Sequence, residues 1–149
     1  MPERVGRILA VDPGEVRIGL ALSDALGISV HPLEPLRSSG AHRDVDAIGR
    51  IAEEQEVVRV LVGLPLLLSG EEGQGAAAAR RLAARLRSRL PEVDVQLWDE
   101  RLTTVQAERM LIGAGVKRQR RREVVDGLAA VLILKSYLDS RPSSEDLLT

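Results

Sequence analysis

Three acids stand where an acid is costly: Asp12, Glu100 and Asp126. Asp12 closes the apolar run Ile8-Leu9-Ala10-Val11 and precedes Pro13-Gly14. Glu100 follows the alternating stretch Val93 to Trp98, and Asp126 lies near the start of the apolar run Val124 to Leu138. A carboxylate taken out of water must be paired, hydrogen-bonded or neutralised by a cation. Each acid alone has an ordinary explanation. Asp12 suits the first position of a Pro-Gly turn, Asp99 and Glu100 can pair with Arg101 or another basic residue, and Asp126 can cap or ion-pair at the start of its helix, just after Arg120 to Arg122. Jointly, three acids at element ends point to a hard-cation site. Mg²⁺ and Mn²⁺ take carboxylate, water and phosphate oxygens, and three converging acids suffice for two ions. Two such ions roughly 3.5–4 Å apart activate water and stabilise the leaving oxygen in phosphodiester hydrolysis. Zinc is disfavoured, because there is no Cys and His31 and His42 lack ligand-type spacing.

These acids need strands and helices to hold them. Ile8 to Val11, the Pro13-Gly14 turn and the apolar segment Ile18 to Leu22 predict an opening hairpin. Ile28 to Leu36, with Pro32 and Pro35, predicts an edge strand, since each Pro lacks a ladder donor. Val45, Ile48, Ile51 and Ala52 predict a surface helix over Arg43 to Glu56, and Val57 to Gly63 a central strand covered on both faces. Pro65, Gly70, Gly73 and Gly75 mark Leu64 to Gly75 as a flexible loop of about ten residues, a lid in form. Ala76 to Leu90 follows as a helix with Leu82, Leu86 and Leu90 in line and five arginines spread over the rest of its surface. Val93 to Trp98 is a short strand that delivers Asp99-Glu100 to its end.

Thr103 and Gln106 have capping-box spacing and open another helix, which Gly113 stops. Gly115 to Glu123 is basic, with Lys117, Arg118, Arg120, Arg121 and Arg122, and is the segment best suited to phosphate contact if it is more than a solvated loop. Val124 to Leu138 predicts a largely buried last helix, and Ser140 to Thr149 a frayed, flexible tail. The expectation is one domain over residues 1–139 with a tail over 140–149.

Composition narrows the class. At 149 residues the chain can bury a core without metals or disulfides, and it has neither cysteine nor a long apolar run, which points to a cytoplasmic protein without membrane contact. A net charge of −1 argues against coating nucleic acid by bulk charge. With Trp98 and Tyr137 as its whole aromatic content, the chain would hold nucleic acid by its backbone rather than by stacked bases.

The opening strand-Asp-x-Gly with Arg17-Ile18-Gly19 and Ser23-Asp24, then Gly63-Leu64-Pro65, Asp99-Glu100-Arg101-Leu102-Thr103-Thr104 and Val125-Asp126-x-x-Ala129-Ala130, resemble the YqgF family. That family is also called RuvX, and comprises pre-16S rRNA nucleases and Holliday-junction-resolvase-like proteins. The resemblance runs in order from Arg7 to about Asp139. It implies an α/β, ribonuclease H-like fold: a five-stranded mixed sheet, three antiparallel strands first, flanked by helices. It also implies Asp12, Glu100 and Asp126 as metal-binding, catalytic acids, and a nuclease maturing the 5′ end of pre-16S rRNA. Arg17, Arg101, Thr103, Lys117, Arg118, Arg120, Arg121 and Arg122 are then the candidate nucleic-acid contacts, with structured RNA or branched DNA as the partner.

One stretch departs from the family: Leu66, Leu67, Leu68 and Ser69 stand where an Asn and an Asp are usual. An exposed leucine run suits a protein contact such as a homodimer interface better than RNA. Two other readings stand beside the rRNA nuclease, a resolvase of branched DNA and a non-catalytic nucleic-acid-binding regulatory module of the same fold. A sugar-kinase or actin-like ATPase shares the opening hairpin, but needs two such lobes where 149 residues supply one.

Overall fold

The computed structural model describes residues 6–67, 69–102 and 118–141, and at 102 and 118–126 their backbone alone. The opening hairpin forms as its apolar pattern requires. Strands β1 (Arg7–Asp12) and β2 (Arg17–Ser23) pair antiparallel, with Asp12 opposite Gly19. Strand β3 (Val30–Arg37) pairs antiparallel with the outer side of β2, and carries one extra residue between Leu33 and Leu36. Pro32 and Pro35 lie on this outermost strand, where a missing N–H is tolerated.

Strand β4 (Val57–Leu64) runs parallel to β1, and β5 (Asp94–Asp99) parallel to β4. The sheet order is therefore β3-β2-β1-β4-β5. This is the five-stranded mixed sheet, three antiparallel strands first, that the resemblance implies. Because β1, β4 and β5 are parallel, their C-terminal ends lie along one edge of the sheet.

Each face of the sheet has its own core. On one, Leu9, Val11, Leu20, Val60 and Val62 pack against helices α1 (Ala41–Glu54) and α2 (Gln74–Arg89). On the other, Ile8, Ala10, Ala21 and Leu61 meet Ala129, Ala130, Ile133, Leu134 and Tyr137 of helix α3 (Arg118–Ser140). Burying each large aliphatic side chain contributes about 1.5–3 kcal/mol. This double burial is why β1 and β4 read as continuous apolar runs. Among the described residues no helix is long and apolar enough to cross a membrane.

Three expectations change. Of the leucines expected in line, Leu86 is inaccessible and Leu90, just past the end of α2, is buried, but Leu82 is only partly buried, and Ala76, Ala79 and Ala83 complete the stripe. Alanines bring the helix backbone close to the sheet, leaving Leu82 at the margin. Second, the stretch after β4 is not an open lid. Leu66 bridges Glu72, the Leu67 N–H donates to Glu71 O at 3.0 Å, and Arg80 grips the Glu72 carboxylate at 2.6 and 2.9 Å. Leu66 packs onto the core and Leu67 is 54 % exposed, so the leucine run is not uniformly at the surface; Leu68 lies outside the described residues.

Third, α3 starts at Arg118 rather than Val124, so the basic stretch from Arg118 to Arg122 is helical and not a loop. Arginine is a good helix former and extends the apolar run backwards. The same helix runs on through Ser140, one residue into the expected tail. The helix expected from Thr103 to Gly113, and the rest of the tail beyond Arg141, lie outside the described residues.

Candidate functional site

Asp12 ends β1 and is 3 % exposed. It shares the sheet face of Ile8 and Ala10, because side chains alternate along a strand. Its antiparallel neighbour is Gly19. On the other side, the parallel register that pairs Val11 with Val62 brings Gly63 level with the end of β1. Asp12 thus lies between two positions with no side chain.

Glu100 reaches the same place from β5. Trp98 pairs with Gly63, and the strand ends at Asp99. Glu100 then begins a 3-10 turn (Glu100–Leu102) and is 1 % exposed. A Cβ built on Gly63 would lie 2.7 Å from Oε1 of Glu100 and 2.7 Å from Cδ1 of Ile133. The Glu100 carboxylate therefore rests on the bare backbone of Gly63, beside the end of β1. Asp12 and Glu100 occupy one face at one edge of the sheet, out of water.

Helix α3 is oriented toward them. Ile133 touches the Gly63 level, while Tyr137, farther along the helix, hydrogen-bonds Arg59 near the start of β4. The helix consequently runs antiparallel to β4, and its N-terminal half extends toward the strand ends. Position 126 precedes Ile133 by two turns, about 10 Å along the axis, on the stripe that carries Ala129, Ala130 and Ile133. The Asp126 side chain itself lies outside the described residues. Among the described residues no set of three His, Cys, Asp or Glu side chains forms a metal cluster.

The surroundings of Glu100 are tightly specified. Asp99 Oδ1 accepts the backbone N–H of Arg101 at 2.9 Å, and the Arg101 Nη2 meets Asp99 Oδ2 at 2.9 Å. The Arg101 guanidinium holds the Asp99 carboxyl below the usual carboxylate range, and Asp99 raises Arg101 in return. The pairing considered for Asp99 is therefore present. Arg17 opens β2 on the Gly19 face and is half-buried near the same edge. Thr103 and Lys117 lie outside the described residues, as do the side chains of Arg118, Arg120, Arg121 and Arg122.

The donor set fits a hard cation: two buried carboxylates, no thiol, and bare glycine backbone on either side. Sequence reasoning did not count Gly63 or Asp99 among the site residues, although it allowed Asp99 to pair with Arg101. Gly63 had a signal, as a glycine ending an apolar strand, which often marks close approach of another group.

A five-stranded mixed sheet with three antiparallel strands first and helices on both faces is a ribonuclease H-like fold. Solved structures of the same fold include Thermus thermophilus RuvC in complex with Holliday junction substrate, at 14% identity and a TM-score of 0.56, covering 90% of this chain and 95% of that one. A fowlpox virus resolvase complexed with Holliday junction DNA is alike at 10% identity and a TM-score of 0.54, covering 90% and 97%. The chain belongs to the RuvX family, described as Holliday junction resolvase, whose model matches residues 6–140. A relative from Nocardioides sp. is 49% identical over 142 residues, covering 92% of this chain and 90% of the relative. One from Desulforudis audaxviator is 44% identical over 140 residues, covering 94% and 99%. Both carry the name "Putative pre-16S rRNA nuclease".

Proposed function

We propose that this protein is a divalent-metal-dependent nuclease that trims the 5′ end of precursor 16S rRNA. One observation carries the reading: Asp12 and Glu100 are both buried, on one sheet face, where β1 and β5 end on either side of Gly63. Two carboxylates buried on one face of a sheet are hard-oxygen donors of the kind that divalent cations take. Asp126, from the helix crossing that face, completes the acid set. Two Mg²⁺ or Mn²⁺ ions held there would supply an activated water and stabilise the leaving oxygen. The chain's own acids fix where that chemistry occurs, and the surrounding apolar packing keeps them rigid.

Substrate contact falls to polar and cationic side chains of this chain. Arg17, Arg101, Thr103, Lys117, Arg118, Arg120, Arg121 and Arg122 are the residues that would hold the phosphate backbone. The names of the relatives favour an RNA substrate. The description of the matched family favours a second reading, resolution of branched DNA by the same acids.

The two are separated by incubating a labelled precursor rRNA 5′ segment and a four-way DNA junction with Mn²⁺, Mg²⁺ or EDTA, using wild type and Asp12→Asn. Metal-dependent cutting of the RNA, lost in a folded Asp12→Asn, is the expected result. Cutting of the junction alone transfers the activity to DNA. Binding of both without cutting removes the catalytic reading.

A further inference from the structure

Glu100 is bracketed by two residues that hold each other. Asp99 Oδ1 accepts the Arg101 backbone N–H at 2.9 Å, closing a turn around Glu100. The Asp99 carboxylate also takes the side edge of the guanidinium, Nε at 3.2 and 3.3 Å and Nη2 at 2.9 Å. The two side chains are 36 % (Arg101) and 22 % (Asp99) exposed, so this pair faces solvent at the edge of the acid site. An exposed ion pair contributes little to stability, and stability alone does not account for so specific a geometry.

A guanidinium has two edges that can each hold an oxyanion in bidentate fashion. Asp99 occupies the side edge. The end edge, Nη1 with the second hydrogen of Nη2, is left over, and Nη1 makes no hydrogen bond to any described residue. Gly70 sits beside it: a Cβ there would lie 3.1 Å from Nη1, and its φ of +90° is one that other residues rarely adopt. The bridged loop after β4 thus approaches the guanidinium with bare backbone at the end edge.

We propose that Arg101 grips a substrate phosphate with its end edge, next to the scissile bond, and that Asp99 is the positioning residue that aims it. This rests on the nuclease reading of the same site. Asp99 fixes the plane of the guanidinium, so the second bidentate contact forms without further ordering of a long side chain. The pairing also offsets the Asp99 charge, which would otherwise repel an incoming phosphate. Gly70 leaves room for that phosphate.

The test is a double-mutant cycle read by binding. A fluorescein-labelled RNA stem-loop with a single-stranded 5′ extension is titrated in EDTA with wild type, Asp99→Asn, Arg101→Ala and the double variant, over a range of NaCl. Arg101→Ala is expected to weaken binding roughly tenfold or more, as loss of a charged hydrogen-bonding group does. It also flattens the slope of log K against log[salt] by about 0.7–0.9. Asp99→Asn weakens binding severalfold alone but does not weaken it further in the Arg101→Ala background, where it removes an unpaired negative charge. Arg101→Lys keeps the salt slope but not the affinity. Thermal unfolding of each variant shows that the fold is retained. A salt slope unchanged by Arg101→Ala, or an equal cost of Asp99→Asn in both backgrounds, overturns the proposal. Because no cleavage is read, failure of the nuclease reading appears separately, in the metal-dependent assay.

Discussion

Gly63 and Glu100 are in contact through an atom that Gly63 does not have: a Cβ there would stand 2.7 Å from Oε1 of Glu100. The glycine is the seat of the carboxylate. Cδ1 of Ile133 crowds the same point from the α3 side, so neither neighbour can give way without moving the site or the core.

Gly63→Ala is therefore expected to cut the cleavage rate at least tenfold through a displaced Glu100, with a stability loss of about 1–3 kcal/mol from overpacking. Cleavage kinetics and chemical denaturation on the same preparation check this. Wild-type kinetics in the variant would show that Glu100 does not depend on its seat.

Metal binding should be visible without any substrate. A ligand that binds only the folded state stabilises it by about 2.7 kcal/mol at a hundredfold excess over Kd. Mn²⁺ is expected to raise the thermal midpoint of wild type, with EDTA reversing the shift. Glu100→Gln and Asp12→Asn should each remove most of it. An equal shift in all three proteins would place the ion elsewhere.

The turn between β2 and β3 carries a pH dependence. Asp24 Oδ1 accepts the Ile28 N–H at 2.7 Å and the Ser29 N–H at 3.4 Å, and these backbone donors, Ile28 foremost, hold its carboxyl below the ordinary value of 3.8. A depressed folded value means that the turn is fully supported above about pH 4 and loses that support as pH falls through the folded value. The Ile28 amide resonance is expected to titrate with a midpoint below 3.8. Asp24→Asn should abolish that titration. A midpoint at or above the ordinary value would contradict the hydrogen-bonded turn.

Ala79 is fully inaccessible where α2 meets the sheet. Ala79→Leu should destabilise by about 1–3 kcal/mol or more, because the helix cannot recede without unseating Ala76 and Ala83 as well. Leu82→Ala, at the partly buried margin, should cost less. Urea midpoints of the two variants decide the ranking, and the reverse order would restore the leucine-centred view of this helix.

That ranking marks where sequence is legible. β1, β2 and β4 announce themselves because burial on both faces leaves a continuous apolar signature, and Asp12 stands out against it. The face of α2 does not, since a periodicity argument gives leucine weight and passes over alanine, though closeness of approach selects the small residue. Asp12 and Glu100 were each conspicuous as costly acids. That they share Gly63 depends on the register of β1, β4 and β5, a non-local quantity no local pattern encodes. The pairing of Asp99 with Arg101 could be named from sequence as one option, but its geometry around Glu100 could not.

Strand β3 has a consequence for how molecules of this protein can meet. Its prolines are three residues apart, a spacing that a regular pleat would turn to opposite margins, but the extra residue between Leu33 and Leu36 resets the alternation. Both missing donors can then fall on the outer margin. A sheet edge that lacks two of its donors is a poor template for a neighbouring strand. Open-ended stacking is disfavoured on that side, and contacts there rely more on side chains, whose pairing can be selective where a backbone ladder accepts any sequence.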